Sequence, residues 1–306
     1  MRSTYPLRLV SLLLCLCLCL PFVGCSKYRL EMSDEAQSRT VLSIDGYDVP
    51  FELVYFFYKN NTKGTHEEKL GAALRDTAEL YAIFSVAKSR GIDPFGEEMN
   101  GRVDNAVREM IDSFDTRREY IDSLTRRHMT DNACRLLLRS YLCEARLLES
   151  DMQEEMQEEI LAFCRRDDVL RAMALVVYYQ DESLRSWAES RAETLLGMLA
   201  LAPNTDAAFE EIAGGEASFE AHNYMTVEQL RELTGEGADF TPALGYVSDA
   251  LFEGGSFVIL RVTEKDLAYV ESNPLSIMPA YIDHLISEAS VPVLTPLFPL
   301  SASDFD

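Results

Sequence analysis

The sequence has 306 residues, 47% of them hydrophobic, and carries 28 Lys and Arg against 51 Asp and Glu for a net charge of −23. That length and apolar content describe a globular chain of about two domains at roughly 100–200 residues each. The acidic excess excludes nucleic acid as a partner, because a phosphate backbone is bound by clustered Lys and Arg, and it weakens attraction to anionic lipid headgroups.

At the N-terminus, Arg2 and Arg8 flank an apolar run from Leu9 to Leu20. A bilayer core takes about 20 apolar residues in a helix, so this run is too short to span and fits the core of a signal peptide. The leader covers 1–24 and ends at Phe22-Val23-Gly24-Cys25. Its loss removes Arg2 and Arg8, which leaves 26 basic against 51 acidic residues, or −25. A small residue followed by cysteine resembles a bacterial lipoprotein leader, which implies that Cys25 becomes the lipidated first residue and holds the protein to a membrane. Phe22 departs from the usual leucine, and an ordinary secretory leader with an incidental Cys25 is the other reading. Residues 25–39 are polar without periodicity and read as a tether.

Thr40 to Ile44 is strand-like, Asp45-Gly46 is a turn signal, and Asp48-Val49-Pro50 opens a helix with proline near its first position. Phe51, Val54, Tyr55, Phe57 and Tyr58 crowd that helix with aromatic surface, which serves either as packed core or as a peptide-holding groove. A second helix runs from His66 to Arg90 and closes at Gly91, a third follows Asp93-Pro94, and Thr130 starts a long one with a leucine stripe. Glu154, Glu155, Glu158 and Glu159 are its solvated acidic end. Cys164 to Asp168 marks a change from helical to strand-like patterning. Beyond it, Val169 to Tyr179 is a strand, and Glu182 to Leu199 is an amphipathic helix holding the only tryptophan, Trp187. Asp206 to Ala213 is helical, His222 lies in a loop-like stretch, and Phe257 to Val262 is a buried strand entered through Gly254-Gly255. A last helix carries Ile277, Tyr281, Leu285 and Ile286 on one face, and a proline-broken tail covers 291–306. Cys134, Cys143 and Cys164 show no metal or redox spacing and the histidines are isolated, so no metal or other cofactor is expected and the thiols read as buried. Neither a Gly-rich phosphate loop, a GxSxG elbow nor an HExxH motif occurs.

Gly245, Val247 and Ser248, followed at fixed spacing by Ile259, Leu260, Arg261 and Val262, resemble the last part of a parvulin-type peptidyl-prolyl isomerase. Leu170 to Val177 resembles that family's first strand. The two positions that hold the family's central histidines are Ala174 and Val258 here, so the resemblance implies a parvulin-like shell without its polar centre. Upstream, Thr40 to Asn61 and Lys88 to Ile92 resemble the start of the SurA/PrsA-type foldases. Together these imply a mainly helical α+β protein. A SurA N-terminal-like helical domain, 40–164 plus 267–306, would carry an inserted parvulin-like α/β domain, 169–266, with an antiparallel sheet flanked by helices and a returning C-terminal helix. The function implied is a membrane-anchored extracytoplasmic chaperone or foldase for unfolded or newly secreted polypeptides, with an inactive isomerase domain. The alternatives are an active isomerase with a non-histidine site and an envelope scaffold; His222, outside both central strands, is the one residue that offers a replacement catalytic histidine. Candidate peptide-binding residues are Tyr224, Leu230 and Phe257 in the insert and Phe51, Tyr55 and Tyr58 in the helical part. Oligomeric state is not readable from the sequence.

Overall fold

The computed structural model describes residues 34–305 apart from 62–63, 180, 214–217, 254–255, 290–295 and 298. The leader, Cys25, the first part of the tether, the Gly254-Gly255 turn and part of the proline-broken tail lie outside the described residues. Two compact units divide the rest: Ser150–His284, and the residues up to Glu149 with those from Leu285 onward. The mainly helical α+β architecture expected from the sequence is present, and among the described residues no helix is long and apolar enough to cross a membrane.

The helical unit begins with α1 (Asp34–Gln37) and a hairpin of β1 (Thr40–Ile44) and β2 (Tyr47–Pro50). Ile44 faces Tyr47 and Leu42 faces Val49 in the antiparallel register. Asp45 and Gly46 join the strands at φ 50° and 81°, the two left-handed residues that a type I′ turn requires. The helix expected from Asp48 is therefore delayed. Val49 precedes a proline and is pushed to extended backbone, and Pro50 is itself extended at φ −76° and ψ 147° as the N-cap of α2 (Phe51–Asn60).

The next helix, α3 (His66–Ser89), opens on a capping box in which Thr65 and Glu68 satisfy each other's backbone N–H groups. It closes in a Schellman motif: Gly91 sits at φ 76°, its N–H reaches the Lys88 carbonyl at 3.1 Å, and that of Ile92 reaches the Ala87 carbonyl at 3.0 Å. Then come α4 (Glu97–Asp112), α5 (Arg117–Thr125) and α6 (Asp131–Leu147), the last capped by Thr130 as expected. The single long helix expected from Thr130 past Glu159 stops at Leu147, with Leu148 turning out of the helix at ψ 2°.

The sheet unit starts with α7 (Ser150–Arg165) and continues through β3 (Val169–Tyr178), α8 (Arg185–Leu201), α9 (Asp206–Ala213), β4 (Ser218–Thr226), α10 (Val227–Thr234), β5 (Leu251–Glu253) and β6 (Ser256–Thr263). Every strand pair is antiparallel, in the order β4-β3-β6-β5. Alternation along β3 splits the core. Met173, Leu175 and Val177 face α8 and α9 and pack with Ala188, Leu195 and Phe209, whereas Ala172, Ala174 and Val176 face Leu230 of α10. Two helices follow β6, α11 (Leu267–Ser272) and α12 (Pro274–Ala289), and the expected face of α12 is buried at Ile277, Tyr281 and Ile286.

The sequence places unit boundaries near 164–169 and 266–267, whereas the compact units divide at Glu149/Ser150 and His284/Leu285. The reason is visible in side chains. Tyr281 donates to Glu159 at 2.5 Å, Arg166 donates to His284 Nε2 at 2.7 Å, and Lys265 donates to the Arg166 carbonyl at 2.5 Å, so α7 and α12 are tied to the sheet.

Candidate functional site

A cleft of about 390 Å³ opens in the helical unit, lined by the hairpin, α3, the loop before α4 and α6. Its floor is aromatic. Tyr47 projects from the first residue of β2, Tyr81 from the middle of α3, and Phe95 from the Asp93-Pro94 turn, with Pro50, Leu136 and Asn132 completing the wall. The Tyr47 and Phe95 rings lie 5.2 Å apart, and Phe84 behind them packs edge-on to Tyr81 at 5.2 Å and to Phe95 at 5.3 Å. These are the tilted and edge-to-face arrangements that ring quadrupoles favour.

Two cations sit over the Phe95 and Tyr47 rings. The Arg139 guanidinium is 4.6 Å from the Phe95 centroid and is oriented by donating to the Pro94 carbonyl and, at 2.8 Å, to Asn100 Oδ1. Lys88 lies 5.2 Å over Tyr47. The Tyr81 hydroxyl donates to the Asp48 carbonyl at 3.1 Å, and burial, together with the charges of Asp48 and Glu52, pushes its pKa well above the usual phenol range. It is therefore a fixed donor rather than an acid. Under the cleft the buried Glu52 carboxylate accepts from Thr130 at 2.5 Å and from Asn132, which ties α2 to the start of α6. Phe95 remains 39% exposed, so the cleft presents apolar ring surface to solvent within a rigid polar frame. Such a surface binds apolar side chains without covalent chemistry.

The six residues singled out from the sequence do not form one site. Leu230 is buried against the same face of the sheet as Ala174 and Val258, which lie two residues apart across the β3–β6 register. Phe257 points to the opposite face, among Val177, Leu195 and Phe209. Tyr224 is buried on β4, where its hydroxyl accepts the Asp266 N–H at 3.0 Å. Phe51 and Tyr55 are also buried and Tyr58 half-buried, all three against the ring of Phe305. Cys25 lies outside the described residues.

His222 is in strand β4 rather than in a loop. Its ring stacks on Tyr269 with centroids 3.4 Å apart and planes 2° from parallel, and burial, helped by the Arg171 charge, lowers its pKa. Cys134, Cys143 and Cys164 are buried free thiols, as their spacing suggests, and burial pushes them up to about 11, about 12 and about 12. Thiols held that far toward the protonated form are poor nucleophiles. Among the described residues no group of His, Cys, Asp and Glu has the arrangement of a metal site.

The cleft itself was missed in the sequence. Tyr47, Tyr81 and Phe95 belong to three separate elements, and the only local signal is Phe95, an aromatic flanked by Pro94 and Gly96 where a turn rather than a core position is expected.

No family model matches the chain, and no curated protein matches it. Among solved structures it is similar to the foldase protein PrsA from Streptococcus pneumoniae, at 13% identity and a TM-score of 0.29, covering 83% of this chain and 95% of that one. It is similar to the peptidylprolyl isomerase PrsA from Bacillus anthracis at 14% identity and a TM-score of 0.26, covering 72% and 90%. PrsA from Bacillus subtilis follows at 14% identity and 0.23, covering 83% and 91%.

Proposed function

We propose that this protein is an extracytoplasmic chaperone or foldase, anchored to a bacterial membrane through Cys25, that holds unfolded exported polypeptides in the cleft of its helical unit. The observation that carries the reading is the aromatic floor of half-buried Tyr47, buried Tyr81 and exposed Phe95, with Arg139 over Phe95 and Lys88 over Tyr47. It offers area and cation-backed rings but few convergent polar groups, which suits weak, sequence-tolerant binding of apolar segments. Phe51 and Tyr55, two of the candidates on α2, are buried as the packed-core reading of that helix has it, which favours this neighbouring cleft as the client site. Catalysis is not part of the proposal. Ala174 and Val258 stand on one apolar face of adjacent strands and offer no polar atom to a twisting prolyl bond.

Suppression of aggregation of a reduced, carboxymethylated client tests the reading. Phe95→Ala removes the most exposed ring of the cleft and is expected, in a variant confirmed folded by circular dichroism, to weaken client binding about tenfold, the equivalent of ~1.4 kcal/mol. Unchanged suppression would refute the cleft as the binding site. Cys25→Ala, followed by cell fractionation, tests the anchor: the variant is expected to be unprocessed or soluble, and correct processing with retained membrane association would exclude lipidation.

A further inference from the structure

The aromatic face of α2 is covered by the chain's own segment 299–305. One side chain of that segment is fully inserted: Phe305 is 1% exposed and stacks on Tyr58 with centroids 4.0 Å apart. Its ring is also 5.3 Å from Phe51, 6.4 Å from Tyr55 and 5.9 Å from His66. Leu300 is buried as well, and between the two anchors Ser301, Ala302 and Ser303 are exposed, with a single 3-10 turn over Ala302–Asp304.

The remaining attachments are few and of the kind a short peptide makes. Asp304 pairs with the half-exposed Arg39 at 3.6 Å, and the Arg39 guanidinium lies 5.4 Å over Phe51. His66 Nε2 meets the Leu300 carbonyl at 3.4 Å. Upstream, the Leu297 N–H donates to the Val41 carbonyl at 2.8 Å, at the irregularity in the β1 register, while the Leu297 side chain is 64% exposed. Two spaced apolar anchors, Leu300 and Phe305, one acid–arginine pair and one backbone bond to a strand are how folded domains recognise linear segments. A packed core element, by contrast, buries several side chains along its length.

We infer that Phe51, Tyr55, Tyr58 and His66 form a socket for a linear segment with an aromatic residue preceded by an acidic one, filled in cis by Phe305 and Asp304. Such a segment in an unfolded chain competes for the socket, so segment 299–305 is a tethered competitor. The nature of the competitor rests on the chaperone reading. The socket and its preference rest on the contacts above.

The probe is a dye-labelled peptide of the sequence Pro-Leu-Ser-Ala-Ser-Asp-Phe. Phe305→Ala in the full chain is expected to bind it at least tenfold more tightly than the unsubstituted protein, and adding Tyr58→Ala is expected to abolish the gain. Equal binding by both, or binding by neither, would overturn the inference. Should F305A fail to fold, Phe305→Trp in a Trp187→Phe background keeps the socket filled and leaves one indole. Excess peptide is then expected to shift its emission to the red, and no shift at millimolar peptide would overturn the inference. With carboxymethylated α-lactalbumin as probe, a client that is held without moving the F305W emission refutes competition at the socket while leaving the chaperone reading intact. A client that is not held at all refutes that reading, and the peptide result then decides the socket alone.

Discussion

Arg261 is charged and only 5% exposed, on a central strand, and its surroundings explain why it is tolerated. Its guanidinium donates to Asp206 Oδ1 at 2.9 Å, to the carbonyls of Gly245 and Asn204 at 3.2 Å, and to Asn204 Oδ1. Thr263 also donates to Asp206, so one side chain pins the start of α9 and the Gly245 loop to β6. Gly245 is held at φ 85°, and a Cβ there would lie 3.1 Å from Asn204 Nδ2, so the position needs glycine on two counts. Arg261→Met, which keeps the apolar stem, is expected to cost about 2–3 kcal/mol in denaturant unfolding, the range for hydrogen bonds to a charged group. The figure is not larger because Asp206, 52% exposed, regains water when its partner is removed. Burial opposes ionisation of Asp206, but the bonds from Thr263 and Arg261 and the arginine charge outweigh it, so its pKa is lowered on folding. A carboxylate whose pKa is lowered by folding contributes stability above its unfolded value of about 3.9 and loses it as pH falls through the folded value. Thermal unfolding across pH 2–6 is therefore expected to show a steeper acid loss in the unsubstituted protein than in Asp206→Asn, and identical profiles would contradict this role.

At the scale of elements, the close of α3 and the start of α6 were legible because their signals are local and chemical. Gly91 supplies the left-handed residue of a Schellman motif and Thr130 the oxygen of an N-cap. Gly91→Ala is expected to cost about 1 kcal/mol by chemical denaturation; a Cβ there would meet nothing within 4 Å, so the whole cost is backbone conformation. A change near zero would show that the closing turn is not strained. The central strands β3 and β6 were legible as continuous apolar runs, as strands buried on both faces must be. The hairpin strand β2 was not, since four residues ending in proline carry no periodicity, and neither was β4, an edge strand whose half-buried residues alternate weakly. The break between α6 and α7 has neither glycine nor proline to mark it. The site was less legible than the fold for a related reason: Tyr47, Tyr81 and Phe95 converge only once the hairpin lies across α3, whereas the aromatic-dense run on α2 is mostly covered.

For the whole molecule, the account separates holding from catalysis. Ala174 and Val258 stand on the adjacent central strands β3 and β6 of the sheet unit and offer no polar atom, so no acceleration of prolyl exchange is expected over the uncatalysed time of about 10–100 s at 25 °C. A proline-peptide assay decides this, and turnover that disappears on replacing His222 would restore an enzyme reading. Holding is assigned to the helical unit. The sheet unit nevertheless has exposed aromatic surface of its own at Phe252, which is 49% exposed with the Arg185 guanidinium 4.2 Å over its ring, and it is the fair competitor for an unfolded chain. The most direct measurement is site-specific photo-crosslinking of a carboxymethylated client to full-length protein carrying benzoylphenylalanine in place of either Phe95 or Phe252. The account predicts client adducts from position 95 that free excess client competes away, with few from position 252; adducts confined to position 252 would contradict it.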